Sequence, residues 1–535
     1  MSNIELSEFT QNNLLAHQPP HVKNLLYVFR EKQRSCALDG SETGTGKTYT
    51  TCAIAREMGL KLLVICPKPA IPNWYRIAQT FGLDVLGVIN YETAQNGKYY
   101  ETLTHFYDEV RYMCPYLTVN KQQATDSFGN LVWTEANRPK MKVISIDWEL
   151  PRDVLLVWDE SHKGKSGFYA GQTVNNKLMV SVKSHLSAPN RKFCIMLSAT
   201  ITDKLENFDM AGYLLGLYQP HMKRVFDRFI QKVERKFNGN PLSGINKLVY
   251  PHFGSRMTIA DIEDKFEDFQ RSIIKAKAYK IDAETAAKIE FIHQQIQSYL
   301  AALRAKGMPE RGWGYVIRCW QKIELLKVPL GIRRIKKNYH AGRSVAVFIS
   351  YTQTKRSLLE GITTGPLAIP IGEIEFIDGQ QKADERDFVV NSFQSDHLRV
   401  LICQIKAGGT ALSLHDVCGR PRTSVIFPTW SAIDFKQALG RVDRASSQSQ
   451  AIQELLYVRP SNPLDPEDAE KLRTMIQNDI PLSSVSEDIQ AVSRSEEQHT
   501  TIEEQICQIV RTKLDNIDLI NNGILTGENI FDIVS

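Results

Sequence analysis

The sequence lacks most of what marks a secreted, membrane-bound or metal-stapled protein. Its nine cysteines in 535 residues include no Cys-x-x-Cys pair. That argues against a zinc module, and the odd count points to a reducing compartment rather than a disulfide framework. No apolar run approaches the ~18 residues of a membrane-spanning helix. Met1 to Thr10 carries no basic-then-apolar leader, so an intracellular location is expected, in cytoplasm or nucleus, with no membrane partner. Single-sign charge is scarce as well: the net +5 leaves any polyanion to be held by local patches. No internal repeat is present, and 42% hydrophobic content over this length permits two ordinary cores with additions.

What is present is loop chemistry. Arg34 to Leu38 reads as a short strand and Thr48 to Met58 as a helix stopped by Gly59. Between them lies Ser41-Glu42-Thr43-Gly44-Thr45-Gly46-Lys47-Thr48. Free backbone N–H groups and the dipole at such a helix start favour phosphate. Gly44 and Gly46 permit close backbone approach, Lys47 would reach the β- and γ-phosphates, and the Thr48 hydroxyl would ligate Mg2+. Thr43 and Thr45 complete the cradle for ATP. The general pattern asks for Gly where Ser41 stands, with Gly40 one place early.

Two later strands end in matching chemistry. Val154 to Trp158 is a continuous apolar run that delivers Asp159-Glu160-Ser161-His162 at its end, where ligands of open α/β sheets gather. Asp159 is then the magnesium partner, and Glu160 is placed to orient and deprotonate the attacking water. Alone, an Asp-Glu pair after a strand is usually a solvated turn; the upstream loop reverses those odds. Phe193 to Leu197 repeats the pattern and runs into Ser198-Ala199-Thr200.

The second half shows another set of short apolar runs: Ser344 to Ile349, Glu375 to Ile377, Arg399 to Cys403 and Ser424 to Phe427. Ala407 to Leu414, containing Gly408, Gly409 and Thr410, lies between the last two. Ser431 and Asp434 form a helix-start pattern that would place Arg441 and Arg444 on neighbouring surface positions.

In this order the loop, Asp159 to His162 and Ser198 to Thr200 resemble the first motor lobe of superfamily 2 helicases and translocases. Val64 to Lys68 followed by Asn73-Trp74, Val88 to Glu92, the Gly408-Gly409 segment, Gln437 to Arg444 and Thr501 to Ile506 are similar to the SWI/SNF-type ATPase branch, with a viral or phage member in scope. The Gly408-Gly409 segment departs from that branch at Ala411 and Ser413. The resemblance implies an α/β fold of two RecA-like parallel-sheet lobes with a helical connector and a C-terminal helical extension. It implies Gln18 as an adenine contact and Arg441 and Arg444 as γ-phosphate and transition-state contacts beside the catalytic Lys47, Asp159 and Glu160. Lys68, Asn73, Ser198, Thr200, Gly408, Gly409, Thr410 and Trp430 become candidates to grip a phosphodiester backbone, with His162 and Gln437 as coupling residues. For Trp74 and Trp430 a packing role is an equal alternative.

The expected organisation is a first lobe over 1–217 with an insertion at 105–150, a basic helical connector over 218–341, a second lobe over 342–459, an acidic linker over 460–500 and a terminal helical segment over 501–535. Within the insertion, Tyr116 to Asn120 and Leu131 to Thr134 would pair across Phe128-Gly129-Asn130. In the connector, Ile289, Ile292, Ile296, Tyr299, Leu300 and Leu303 form one apolar face, read as core, and Arg333, Arg334, Lys336 and Lys337 form either a solvated face or a phosphate track. The function expected is an ATP- and Mg2+-dependent DNA translocase on duplex or branched DNA. The alternatives are a strand-separating helicase, less readily on RNA, and a nucleotide-gated DNA-binding scaffold. A protein partner would meet the insertion or the acidic linker.

Overall fold

The computed structural model describes residues 4–126, 128–133, 138–165, 173–186, 192–202, 204–237, 240–266, 272–275, 279–305, 313–405, 412–428, 432–442, 444 and 446–460. The chain divides into two compact units, meeting in sequence at Asp268 and Phe269. Each is built on a six-stranded sheet.

In the first unit the strands are β1 (Cys36–Asp39), β2 (Lys61–Cys66), β3 (Val85–Asn90), β4 (Val154–Asp159), β5 (Phe193–Leu197) and β6 (Gly254–Ser255). They lie in the order β6-β1-β5-β4-β2-β3, all parallel. The apolar runs of β1, β4 and β5 are buried along nearly their whole length, as strands covered on both faces must be. Consecutive parallel pairing brings Asp39, Leu197 and Asp159 into register, so the segments after β1, β5 and β4 leave the sheet side by side.

The second unit repeats the plan with β7 (Ile273–Lys275), β8 (Ser344–Ile349), β9 (Ile374–Ile377), β10 (Val400–Gln404), β11 (Arg422–Ile426) and β12 (Ile452–Leu455). Their order is β7-β12-β11-β8-β10-β9, again all parallel. Helices flank both sheets, giving two RecA-like lobes.

The segment read as a connector is shared between the units. Helices Lys223–Phe237 and Pro241–Val249, with β6, fall in the first; Ala283–Ala305, Trp313–Leu326 and Val328–His340 fall in the second. Ile289 and Ile296 are buried in the second core, with Ile292, Tyr299 and Leu300 packed against it. Of the four cations before β8, Arg334 donates to the buried Glu454 and Lys336 Nζ donates to the Thr364 carbonyl at 2.7 Å. Arg333 and Lys337 are exposed.

Two local expectations are corrected. The partner of the strand Leu117–Gln123 is Met141–Trp148, antiparallel with Leu117 opposite Trp148. Leu131 and Trp133 only bridge Thr125 and Pro139 nearer the tip. That register buries Leu117 and Trp148 in the first core, which the shorter pairing could not. The second correction concerns Arg441 and Arg444: the helix Ala432–Leu439 ends before both, and Arg441 is buried. Gly408, Gly409, Thr410, Trp430 and residues 461–535, with the acidic linker and terminal helix, lie outside the described residues.

Candidate nucleotide and nucleic-acid site

The loop after β1 has the backbone of a cradle. Gly44 and Gly46 have φ of 97° and 92°, a region that side chains resist. At Gly46 a Cβ would also stand 2.2 Å from Gln18 Nε2. The helix Lys47–Glu57 starts there, and Lys47 Nζ folds back to donate to the carbonyls of Ser41 at 3.0 Å and Glu42 at 3.1 Å. A lysine laid over loop carbonyls is poised to exchange them for phosphate oxygens.

The loop is braced from two sides. From one, Gln18 Nε2 donates to the Thr45 carbonyl at 3.0 Å, His17 meets the same oxygen at 3.0 Å, and Leu15 N–H donates to Gln18 Oε1 at 2.9 Å. Gln18 is buried with its amide so engaged. From the other, Arg256 donates to Glu42 at 2.9 Å, Ile259 N–H donates to Glu42 Oε2 at 2.8 Å, and Met257 N–H donates to Ser41 Oγ at 2.9 Å. Ser41 therefore uses its hydroxyl where the generic loop has glycine. Gly40 is required by approach: a Cβ there would meet Tyr250 Oη at 1.9 Å.

Beneath the loop sits Asp39, which sequence reasoning missed. Its carboxylate accepts the Ser41 N–H at 2.9 Å and lies 3.1 Å from His21 Nε2. Burial alone would raise its pKa, but His21, Lys47 and the Ser41 hydrogen bond hold it below the ordinary carboxylate range. A carboxylate straight after an apolar strand, with His17 and His21 four apart upstream, was the available signal.

At the end of β4, Asp159 Oδ2 accepts a 2.9 Å hydrogen bond from Trp74 Nε1, and its carbonyl accepts one of 2.8 Å from Tyr91 Oη. Burial pushes the Asp159 carboxyl above its usual range, the neighbouring Glu160 charge adds to the rise, and Trp74 and Lys47 oppose it. Trp74 is 1% exposed, its indole packed inside the lobe. Glu160 takes a left-handed φ of 53°, a strained conformation that aims its side chain at His162, 3.2 Å away. The same His162 nitrogen, Nδ1, also stands 3.1 Å from Ser198 Oγ, so Glu160 and Ser198 share it, and Ser198 accepts the Thr200 N–H at 3.1 Å. Ser198 and Thr200 are buried, which suits coupling within the lobe rather than direct grip of a backbone.

Of the outer candidates, Lys68 is half-buried and pairs with Glu109 at 3.1 Å, and Asn73 accepts from Arg76 at 2.6 Å. In the second lobe, Arg441 and Arg444 both donate to the Leu412 carbonyl at 3.3 Å, and Gln437 is buried on the preceding helix. The Thr48 hydroxyl and the partly accessible Asp159 carboxylate are hard oxygen donors of the kind Mg2+ takes. Among the described residues no group of three or more His, Cys, Asp and Glu could hold a metal unaided, so phosphate and water oxygens would have to complete its shell.

No protein-family model matches the chain. It is 30% identical over 487 residues to a protein of Acanthamoeba polyphaga mimivirus provisionally named ATP-dependent RNA helicase L364, covering 85% of this chain and 81% of that one. The chain belongs to helicase superfamily 2. Solved structures similar to this superfamily 2 chain include S. cerevisiae Dbp5 bound to RNA and ADP BeF3, at TM-score 0.41 and 12% identity over 94% of this chain and 98% of that chain. Another is the Sulfolobus solfataricus SWI2/SNF2 ATPase core in complex with dsDNA, at TM-score 0.31 and 15% identity over 85% and 90% of the two chains. Among the described residues no helix is long and apolar enough to cross a membrane.

Proposed function

We propose that this chain is an ATP-driven nucleic-acid motor that couples hydrolysis to movement along DNA, with a duplex or branched track. The observation that carries this reading is the convergence, at the ends of three consecutive parallel strands, of a lysine-bearing glycine loop after β1, Ser198 after β5 and an Asp-Glu pair after β4 in contact with it through His162. In the proposed cycle the loop from Thr43 to Thr48 holds the ATP phosphates, with Lys47 exchanging its loop carbonyls for them. Mg2+, held by Thr48 and Asp159, would screen phosphate charge, which is the chemistry that ion supplies. Glu160 orients and deprotonates water; Arg441 and Arg444 stabilise the transferred phosphoryl group. The chain Glu160–His162–Ser198 reports the state of that site to the lobe's outer segments, where Lys68 and Asn73 contact phosphodiester. Such contacts are sequence-independent.

A second reading, strand separation on RNA, draws on the name of the mimivirus relative. A viral origin fits both. The test is displacement of a third strand from a triplex on blunt duplex DNA, run beside unwinding of tailed RNA and DNA duplexes, all with ATP. Triplex displacement without unwinding supports the duplex-DNA motor; unwinding of RNA with no activity on duplex DNA replaces it with the second reading.

A further inference from the structure

At the base of the insertion lies a cavity of about 300 Å³ lined by Thr93, Asn96, Lys98, Arg111, Val119 and Lys121. Three cations and no carboxylate share it. We infer that this cavity binds a backbone phosphate of the nucleic-acid track, extending that track from the motor lobe onto the insertion. The inference rests on the reading of the chain as a nucleic-acid motor.

The cavity is built from two parts of the chain locked together. Leu117 and Trp148 anchor the hairpin in the first core, and Trp148 Nε1 donates to Ser181 Oγ at 2.9 Å. Gly97 turns with φ of 62° so close to the hairpin that a Cβ would stand 3.3 Å from Val119 N. Cys114 N–H donates to the Gly97 carbonyl at 2.8 Å, and Lys98 pairs with Met113 in a short antiparallel ladder. These contacts fix Lys98, Arg111 and Lys121 around one space.

Their charges are unspent. Lys121 Nζ donates to the neutral Asn96 Oδ1 at 2.6 Å, leaving further protons for another acceptor. Arg111 lies 6.0 Å from the Tyr100 ring, and none of the three is in an ion pair among the described residues. A fixed pocket of like charges repels itself and is relieved by an anion. Its volume, at the lower end for small-ligand sites, is ample for a phosphate, and the three cations rather than the size select an anion.

Placement selects the polymer as the phosphate's source. The cavity shares Thr93 and Asn96 with the turn that follows Asn90 to Glu92, and Thr93 Oγ1 donates to Asn90 Oδ1 at 2.7 Å. On its other side the segment carrying Arg111 also carries Glu109, the partner of Lys68. The Lys68 and Glu109 side chains are 39% and 53% exposed, so that solvated pair is weak and readily exchanged for phosphate.

The experiment compares the full chain with the triple variant Lys98→Ala/Arg111→Ala/Lys121→Ala and with Lys98→Arg/Arg111→Lys/Lys121→Arg. Anisotropy of labelled duplex DNA, single-stranded DNA and RNA is measured across salt concentrations. The alanine variant is expected to bind roughly tenfold more weakly at low salt, with the magnitude of the log K against log salt slope reduced by about 1; the charge-keeping variant should bind like wild type. Equal affinity and slope in the alanine variant would overturn the inference while leaving the motor reading standing. Failure of wild type to bind any nucleic acid would overturn both. In a parallel arm, inorganic phosphate is titrated at fixed ionic strength: a thermal shift in wild type lost in the alanine variant, with nucleic-acid binding unchanged, would reassign the cavity to a free anion and overturn the proposal.

Discussion

Replacing Trp74 by Phe separates a positioning role from a role in touching nucleic acid. The indole is 1% exposed and its N–H stands 2.9 Å from Asp159 Oδ2. Phenylalanine keeps most of the ring but removes the donor. Losing a hydrogen bond to a charged group costs about 1.5–3 kcal/mol, and the void left by the smaller ring adds roughly 1 kcal/mol. The variant should therefore melt lower yet still cooperatively. Functionally, an acidic ligand stripped of its orienting partner typically loses about 10–100-fold in metal affinity. Binding of a fluorescent ATP analogue, titrated with Mg2+, should shift to higher Mg2+ by that factor, while nucleic-acid affinity without nucleotide stays at the wild-type value. An unchanged Mg2+ titration with weakened nucleic-acid binding would refute the positioning role and restore contact with the polymer.

Arg441→Ala and Arg444→Ala should each bind ATP normally and hydrolyse it about 10³-fold more slowly; near-normal turnover in both, by phosphate release, removes the arginines from the site. His162→Ala breaks the link between Glu160 and Ser198, so hydrolysis without nucleic acid should persist within a few-fold while stimulation by nucleic acid is lost; intact stimulation would show that coupling runs elsewhere. Burial lowers His293 to about 3 and His415 to about 4, with Lys327 assisting at the first and Arg444 at the second. The unfolded chain then binds protons that the folded chain refuses. Stability should fall as pH drops below ~6.5, by up to about 1.4 kcal/mol per pH unit for each histidine, and level off below the folded values. Guanidinium unfolding at pH 7 and pH 5 should show this difference, and His415→Gln should shrink it; no change in the difference would place the loss in other groups.

The parallel sheets were legible because doubly buried strands leave unbroken apolar runs, as in Val154 to Trp158 and Phe193 to Leu197, and because Gly59 ends its helix with a left-handed φ of 64°. Less visible was everything decided by contacts remote in sequence. Ser41 accepts from Met257, and Glu42 is held by Arg256 and Ile259; no local pattern ties residues more than 200 positions apart. Trp74 illustrates the same limit, since periodicity shows that a tryptophan lies on a helix but not that its indole reaches Asp159. The hairpin was misregistered because Leu131 to Thr134 is locally as strand-like as Met141 to Trp148, and only burial of Trp148 distinguishes them. A capping pattern likewise says where a helix begins and not where it ends, which is why both arginines fell beyond Leu439.

Steady-state ATP hydrolysis by wild type and Glu160→Gln, each without nucleic acid and with blunt duplex DNA, branched DNA, single-stranded DNA or RNA, tests the motor assignment most directly. The account predicts turnover stimulated by blunt duplex or branched DNA and abolished by the single substitution, which leaves the loop, Thr48 and Asp159 in place. Turnover in wild type that no nucleic acid raises above the Glu160→Gln level would contradict it and leave a nucleotide-gated scaffold.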